Sequence, residues 1–338
     1  MDYISNDFQM SLTYFLWNGL EVNPDYYQCP TEPKSAEIRR ELWGAYFFWS
    51  GILILTLYLT CFIAIASHEL MKTPAYKAMF VLGIFDLLSV CIDSIATGIL
   101  GFAGVSYCDF PRLIFILGAI GYGSWMGCCI TSLNLAVIRI CDVCDLKIHK
   151  LFEGFRIYFS LFFCCSYGFY GIFLTKPLIF SSAYMSWFFD PGLGKDPSLY
   201  INVAQIFNNF SMAIGTVTLN GYLAYLFIKK PGSNSNEFSK YKINVLLQAF
   251  LFCIFHFICA LMYTYMQYVA APEVLILVAQ VTWQWGTGSI CIVYLTLNRS
   301  IQKAVLHMII PKINIKVSQI PNVPSSDSRA LGMQNNVI

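Results

Sequence analysis

Two acids in apolar surroundings are the first candidates for chemistry in this sequence. Asp86 and Asp93 lie in a stretch that is otherwise nearly free of charge, and their spacing puts them on one face of a helix, two turns apart. Charged groups inside a membrane are costly, so such positions are functional by default. A proton-driven transporter or a pump normally carries more ionisable groups, so the pair by itself does not indicate proton transport.

Two further patterns resemble catalytic or metal sites. The Gly-Thr-Gly-Ser sequence at 286–289, with His256 one span earlier, resembles the motif of intramembrane serine proteases, but in those enzymes the serine precedes the histidine. Close packing between helices is the simpler role for the glycines. Cys141 and Cys144 form a lone Cys-x-x-Cys pair without a second pair at metal-ligand spacing; we expect a reduced pair, with palmitoylation as the alternative. The sequence therefore predicts no enzyme, no metal site and no cofactor.

The composition places the chain in a membrane. Apolar residues make up 57% of its 338 residues and charged residues 12%, against about 45–50% and about 25% in soluble domains. A larger water-soluble core cannot absorb this difference, because surface grows with volume, so the surplus apolar surface must face lipid. The net charge of +2 indicates no nucleic-acid partner. Residues 1–42 contain no apolar signal-peptide stretch, so we expect the first span to direct membrane insertion.

Seven stretches are charge-poor and long enough to cross a bilayer as helices, which takes about 20 residues. They cover residues 43–66, 76–101, 111–138, 155–174, 200–228, 243–269 and 274–297. The sequence therefore predicts an all-α membrane protein, with a seven-transmembrane helix bundle over 43–297 and an extracellular segment at 1–42. A short C-terminal amphipathic helix is expected at 298–311, and a disordered cytoplasmic tail at 312–338.

The distribution of Lys and Arg sets the orientation. With the N-terminus outside, most of the 21 basic residues lie in the cytosol, as the positive-inside rule requires. We therefore expect a multi-pass protein of the plasma membrane with an extracellular N-terminus. After the seventh span, Ile301, Val305, Met308 and Ile309 fall on one side of a helix, which favours a position in the inner interface of the lipid; an ordinary cytosolic helix is the alternative.

This topology divides the thirteen cysteines among the spans, the cytosolic side and the oxidising side of the membrane. Only Cys29 and Cys108 are expected on the oxidising side, so a single disulfide is possible. We predict that the bridge forms and ties the N-terminal segment over the outer end of the third helix. Two unpaired extracellular thiols are the alternative.

Motifs at the inner ends of three spans resemble those of rhodopsin-class receptors. Met-Lys-Thr-Pro at 71–74, followed by Leu-Gly-Ile-Phe-Asp-Leu at 82–87, resembles the turn and the aspartate motif of the second helix in that class. Ala136 and Arg139 match the Ala-x-x-Arg pattern that ends the third helix, and Tyr294 matches the tyrosine before the interfacial helix.

Departures from that pattern narrow the resemblance. Ile138 replaces the acid expected before the arginine, and the Asn-Pro expected before Tyr294 is missing. With Tyr-Cys-x-x-Pro at 107–111, Leu-Phe-x-Gly-x-Arg at 151–156 and Trp-Phe-Phe-Asp-Pro at 187–191, these departures are similar to the nematode serpentine chemoreceptors of class T. The resemblance covers roughly residues 58–310.

The resemblance implies a sensory-neuron receptor, with the cilium as one location, that binds an unknown small-molecule cue and activates a heterotrimeric G protein. A seven-span ligand-gated channel or a transporter is the alternative. A channel normally needs a polar stripe along a pore helix, and transporter folds show internal repeats. The sequence offers neither beyond Asp86 and Asp93.

Polar and aromatic side chains on three spans are candidate ligand contacts. Because polar groups facing lipid are costly, these faces should turn inward, towards a mostly apolar pocket. The candidates are Gln205, Asn208, Asn209, His256, Tyr263, Gln280, Trp283 and Gln284. Hydrogen bonding between helices, without a ligand role, is the alternative.

At the inner side, Asp86, Arg139 and Tyr294 are the candidates for a signalling switch. Asp86 is not expected to hold sodium, because few oxygen ligands are expected beside it. The resemblance to rhodopsin-class receptors implies Ser124, Cys128, Gly286 and Ile290 as its neighbours, and only Ser124 has an oxygen in its side chain.

Two ligand classes are disfavoured by the composition of the spans. The third span, 111–138, contains no acid that could pair with a biogenic amine, and the seventh, 274–297, contains no lysine for a retinal Schiff base.

Overall fold

The seven-helix bundle predicted from the sequence is present. The computed structural model describes residues 7–30, 38–144, 150, 152–229 and 236–309. Its main helices are α1 (Glu41–Ile65), α2 (Pro74–Ala103), α3 (Pro111–Cys144), α4 (Ile157–Leu174), α5 (Val203–Lys229), α6 (Asn236–Tyr265), α7 (Glu273–Leu297) and the shorter α8 (Arg299–Ile309). Between α4 and α5, β1 (Ile179–Ser181) and β2 (Ser186–Phe188) form an antiparallel hairpin.

Six of these helices, α1 to α5 and α7, are each long and apolar enough to cross a membrane. In α6 the apolar stretch is shorter, Cys253–Tyr265, within a helix of 30 residues. The fifth span begins at Val203 rather than at residue 200, because Pro197–Tyr200 form a separate 3-10 turn. The third extends to Cys144, beyond its predicted end at residue 138.

The central helix is α3, which packs against α2, α4 and α5. Glycines let its backbone approach that of α4: a methyl group at Gly168 would lie 3.3 Å from the Cα of Gly127, and one at Gly171 2.9 Å from the Cα of Gly123. Small residues at such contacts are typical of membrane bundles, because lipid supplies no hydrophobic drive for helix association. The outward faces of α1, α4 and α5 expose large apolar side chains, as lipid-facing surfaces do.

One turn of π-helix interrupts α2 at Cys91–Ala96. There the Thr97 hydroxyl donates to the carbonyl of Ile92 at 2.9 Å. A π turn inserts one extra residue and is frequent at functional sites. Because Asp93 lies in this turn and Asp86 in the regular helix before it, the two acids are not related by the regular spacing that the sequence suggests, although both are fully buried.

The N-terminal cap, residues 7–30, folds over one end of the bundle. Its two short helices are Leu12–Trp17 and Pro24–Tyr27. Ser11 and Asn23 cap their N-termini, because the two side chains accept hydrogen bonds from first-turn amides. These are favourable N-terminal residues for a helix. We refer to the end of the bundle that carries the cap and the β-hairpin as the cap end, and to the opposite end as the α8 end.

Aromatic packing seats the cap on α3. Phe15 stacks on Phe115 with ring centroids 5.2 Å apart, and Tyr27 meets the same ring edge-on at 5.2 Å. Burial raises the pKa of Tyr27 and of Tyr107 above the ordinary value, so both hydroxyls stay protonated. The predicted polar segment is therefore a folded part of the protein over residues 7–30.

Cys29 and Cys108 form the predicted disulfide, with Cα atoms 5.7 Å apart, within the usual range for such bridges. It joins the cap to the loop that precedes α3. Among the free cysteines, Cys141 is buried in α3, which disfavours palmitoylation of that residue. The side chain of Cys144 lies outside the described residues.

We expect Cys108→Ser to lower the free energy of unfolding by about 2–4 kcal/mol, because the bridge closes a long loop of the unfolded chain. The Cys29→Ser variant should lose the same amount, and the double variant no more than either, since all three lack one bond. Cys91→Ser, at an exposed free cysteine, is the control. Thermal unfolding of the purified protein in detergent measures the effect, and additive losses in the double variant would contradict it.

The amphipathic helix predicted after the seventh span is present as α8. Its start is capped by Asn298, whose side-chain oxygen accepts two backbone amides of the first turn at 3.1 and 3.2 Å. Ile301 and Val305 are buried, and α8 packs against α1 and α7, whereas Met308 is exposed. Residues 310–338, which include the predicted tail, lie outside the described residues.

Candidate functional site

Two adjoining chambers lie at the cap end of the bundle. The outer chamber, with a cavity volume of about 100 Å³, lies between the β-hairpin, the start of α5 and the end of α6. The inner chamber, with a cavity volume of about 10 Å³, has room for a single water-sized group and lies between α3, α6 and α7. Both are lined by Leu178, Gln205 and Tyr263. The inner chamber is also lined by Tyr122, Trp125, Cys259 and Trp283.

All eight candidate ligand contacts are buried, but they have different surroundings. Gln205, Tyr263 and Trp283 line the chambers. The other five take part in hydrogen bonds or ring contacts between side chains of the bundle: Asn208, Asn209, His256, Gln280 and Gln284.

Asn209 joins α3, α5 and α6. Its side-chain oxygen accepts from the Trp125 indole at 2.9 Å, and its amide donates to the Ala260 carbonyl and the Thr264 hydroxyl, both at 3.1 Å. Asn208 donates to the same oxygen at 3.3 Å. These contacts favour the packing alternative for the two asparagines.

Gln280 lies at the junction of the chambers with α2. Its side-chain oxygen accepts from the Tyr263 hydroxyl at 2.7 Å and from Ser186 of β2 at 3.2 Å, and its amide donates to the backbone carbonyl of Asp93 at 2.9 Å. Tyr263, which lines both chambers, is therefore connected through the Gln280 side chain to the π turn of α2.

Gln284 points to a different helix from the chamber residue beside it. It donates to Ser50 at 2.8 Å, and the adjacent Trp285 donates to the Tyr46 hydroxyl at 2.9 Å, both on α1. Trp283, by contrast, meets Tyr263 of α6 edge-on, with centroids 5.8 Å apart. The face predicted for Trp283 and Gln284 is thus divided between two neighbours.

His256 lies behind the wall of the inner chamber. Its ring stacks on that of Trp125 with centroids 5.3 Å apart and an interplanar angle of 8°. A methyl group at Gly286 of α7 would lie 3.5 Å from the imidazole. The histidine is therefore placed to hold the position of the indole rather than to meet a ligand directly.

The β-hairpin reaches into the bundle through Trp187. This side chain is fully buried, and its indole donates to Thr97, the residue after the π turn, at 2.8 Å. Tyr122 of α3 is covered from the same loop by Phe189, with centroids 5.3 Å apart. The Trp-Phe-Phe-Asp-Pro stretch therefore forms part of the roof over the chambers.

The buried acids are held by neighbouring donors. Asp86 accepts hydrogen bonds from Tyr58 of α1 and from the thiol of Cys128 at 2.9 Å. Of the neighbours expected for it, Ser124 bonds a backbone carbonyl of its own helix instead, and Tyr58 takes the place of an oxygen partner. Asp93 accepts from Ser94 and from Thr287 of α7, the latter at 3.0 Å. Within the described residues, His, Cys, Asp and Glu form no cluster of three that could hold a metal ion.

We expect sodium to leave the stability of the protein unchanged. Both oxygens of Asp86 already accept hydrogen bonds, and a hard cation requires several oxygen ligands. Because an ion that binds only the folded state raises its stability by mass action, the unfolding midpoint in sodium chloride and in potassium chloride compares the two cations directly. A sodium-specific rise that Asp86→Asn removes would contradict the expectation.

A third cavity, of about 50 Å³, lies at the α8 end and is lined by residues of α2, α3, α5 and α7. Arg139 and Tyr294, two of the three predicted switch residues, both line it. Its walls are otherwise mainly apolar, with Leu82, Leu135 and Val293 among them. The third, Asp86, is not among the residues that line it.

Three residues of these sites carry no pattern in the sequence that marks them, namely Tyr122 and Trp125 of α3 and Tyr58 of α1. Trp187 of the hairpin belongs to the Trp-Phe-Phe-Asp-Pro motif but was not among the candidate ligand contacts. An aromatic residue in an apolar span is ordinary, and only the neighbouring helices decide which of them meets a cavity or an acid.

Comparison with known proteins agrees with this architecture. The family model described as "Serpentine type 7TM GPCR chemoreceptor Srt" matches residues 10–318. A curated relative, serpentine receptor class T-55 from Caenorhabditis elegans, is 23% identical over 325 residues, which cover 93% of this chain and 88% of that protein. The resemblance carried by the motifs is confirmed. This chain belongs to the Srt family of serpentine seven-transmembrane chemoreceptors.

Proposed function

We propose that this protein is a plasma-membrane receptor that binds an extracellular small molecule at the cap end and activates a heterotrimeric G protein at the α8 end. One observation carries the proposal: α7 takes part in both sites. Trp283 lines the inner chamber, and Tyr294, three turns further along the same helix, lines the cavity at the α8 end. Membership of a chemoreceptor family supports the same conclusion.

Polar contacts join α7 to α2 both at the chambers and between the two sites. Gln280 bonds the backbone of Asp93, and Thr287 bonds its carboxylate. A ligand beside Trp283 that favours one position of α7 over another shifts the balance between two packings of the bundle. The position of Tyr294 at the α8 end changes with it. The energy for this shift is limited by the difference in ligand affinity for the two packings.

The cavity at the α8 end has the features of a groove for a partner helix. Apolar walls accept the apolar face of an amphipathic helix, and Arg139 provides a cation that can bond the carbonyls at the end of that helix. A C-terminal helix of a G-protein α subunit fits this description. Lipid surrounds the bundle, and no nucleic-acid partner is proposed.

The disulfide supports an extracellular position for the cap, because such bridges persist in oxidising compartments. We therefore expect an epitope tag added before residue 7 to be labelled on intact cells, whereas a tag after residue 338 is labelled only after permeabilisation. Labelling of the C-terminal tag on intact cells would contradict the proposed orientation.

Expression with a promiscuous Gα subunit and a calcium readout, challenged with volatile and soluble compounds, tests the proposal. Activation should require the co-expressed Gα and should disappear when G-protein coupling is blocked. Ligand-evoked current that survives the block would support the channel alternative instead.

A further inference from the structure

We propose that the inner chamber selects an uncharged ligand that carries a hydrogen-bond acceptor, and that the acceptor is bound by the Trp283 indole N–H and the Tyr122 hydroxyl. Compounds of this class include ketones, aldehydes, esters and ethers. The inference rests on the proposed receptor function and specifies its ligand chemistry.

Two buried donors in one chamber carry the inference. Tyr122 is fully buried and Trp283 is 2% exposed, and both line the inner chamber. Neither the Tyr122 hydroxyl nor the Trp283 indole nitrogen has a hydrogen-bond partner among the described residues. Leaving a buried donor without a partner is costly, so two such groups in one small cavity mark a place where a ligand atom can accept.

Three other indoles and a tyrosine hydroxyl of the bundle do have hydrogen-bond partners. The indoles of Trp125, Trp187 and Trp285 all donate to side-chain oxygens, at 2.8 to 2.9 Å. The hydroxyl of Tyr263, on the wall of the same chamber, bonds Gln280 at 2.7 Å. Trp283 and Tyr122 therefore differ from the aromatic groups around them.

The charge of the chamber sets the charge of the ligand. Its lining contains no carboxylate, ammonium or guanidinium group. Asp93 is the buried acid whose backbone Gln280 joins to the chambers, and its carboxylate already accepts hydrogen bonds from Ser94 and Thr287. In the outer chamber, Asp190 accepts from the Gly192 amide at 2.8 Å. Because an unpaired charge in an apolar cavity is strongly disfavoured, an ammonium or a carboxylate is excluded from the inner chamber.

The outer chamber accommodates the remainder of the ligand. Its walls include the apolar side chains of Leu178, Phe188, Phe189 and Met266, which can contact the apolar part of a ligand. The ligand that fits both chambers has a polar acceptor at the inner end and an aliphatic or aromatic body towards the hairpin. This is the composition that small-molecule pockets generally show, a mostly apolar surface with few converging polar groups.

Sets of compounds that share one carbon skeleton test the class. Each set contains a ketone or an ester, the corresponding alkane, the primary amine and the carboxylic acid. The compounds are applied to the full-length receptor in the calcium assay and to purified receptor in a thermal-shift assay. We expect activation and stabilisation by neutral acceptors, with at least tenfold weaker effects of the other three members of each set.

Single-donor variants test the site. Trp283→Phe and Tyr122→Phe keep an aromatic ring and remove one donor, and each should weaken the response to neutral acceptors about five- to tenfold. Without ligand, the unfolding midpoint of Tyr122→Phe should not fall, because no protein hydrogen bond is lost. Trp283→Phe also loses part of its ring contacts with Trp125 and Tyr263, so its potency is compared at equal surface density. Trp285→Phe, which removes a bond to Tyr46 outside the chambers, is the matched control and should keep the potency.

The two assays separate this inference from the proposed function. Stabilisation of purified receptor by neutral acceptors without any cellular response would contradict G-protein signalling and leave the ligand class supported. Activation by amines or acids, unchanged potency in both donor variants, or no stabilisation by any neutral acceptor would overturn the ligand class.

Discussion

Replacement of Arg139 by alanine is expected to lower the maximal G-protein signal at least fivefold, while the receptor still reaches the cell surface and binds its ligand. Arg139 lines the cavity at the α8 end together with Tyr294, far along α3 from Tyr122 and Trp125 of the inner chamber. Loss of the cation removes its bonds to the partner helix. Allosteric coupling energies of about 1–3 kcal/mol correspond to 5–150-fold changes in affinity, so we expect the maximal calcium signal to fall at least fivefold.

The controls for this prediction come from the same end of the bundle. Arg156 is exposed and donates to the carbonyl of Lys150 at 3.2 Å; it is not among the residues that line the cavity. Arg156→Ala should therefore signal normally. Tyr294→Phe, which keeps the ring in the cavity wall, should retain more signal than Tyr294→Ala. Equal loss of signal in the Arg139 and Arg156 variants, at equal surface density, would show that net charge rather than the cavity is responsible.

Lipid explains why the bundle could be predicted from the sequence. Every membrane-spanning backbone must satisfy its own hydrogen bonds, so charge-poor stretches of sufficient length become helices whatever their tertiary partners. The disulfide could be predicted for a similar reason, because topology left Cys29 and Cys108 as the only pair on one side. Span ends were less accurate where local chemistry decides them, as at the 3-10 turn Pro197–Tyr200.

The fold of the N-terminal cap could not be predicted from the spacing of its apolar residues. Met10, Phe15 and Tyr27 are buried. Met10 lies in a turn, and Phe15 and Tyr27 lie in two separate short helices, so their spacing follows neither a helical nor a strand period. Their burial depends on the rings of α3 and on the disulfide, which are distant in the sequence. Composition alone therefore suggested a polar segment.

The polar residues of the spans show a second limit. The cost of placing them in lipid predicts that they turn inward, and all eight candidates are buried. Which partner each one meets depends on helix rotation and on the extra residue in the π turn of α2. Gln284 bonds Ser50 of α1, and Asp86 bonds Tyr58 of α1; neither partner is set by the spacing within a single span.

Replacement of Lys176 by methionine is expected to destabilise the receptor by about 3 kcal/mol. This is the lower end of the range for removing one partner from a buried ion pair, because the Asp7 side chain is 28% exposed. The Lys176 side chain is 2% exposed, and its ammonium group lies 2.9 Å from Asp7 of the cap. It also donates to the carbonyls of Leu199 and Ile201, at 2.8 and 2.9 Å. One cation therefore joins the cap, the segment after α4 and the entry to α5.

Lys195→Met is the matched control, because this half-buried lysine also bonds backbone carbonyls of the cap, those of Pro24 and Asp25. Its loss should lower the free energy of unfolding by no more than about 1.5 kcal/mol, the upper value for an ordinary hydrogen bond. The double variant Asp7→Asn/Lys176→Met should lose less than the sum of the single variants, because the singles leave one charge without the other. Thermal unfolding of purified receptor provides all four values. Equal effects of the two lysine substitutions, or strict additivity in the double variant, would show that the buried pair does not hold the cap to the bundle.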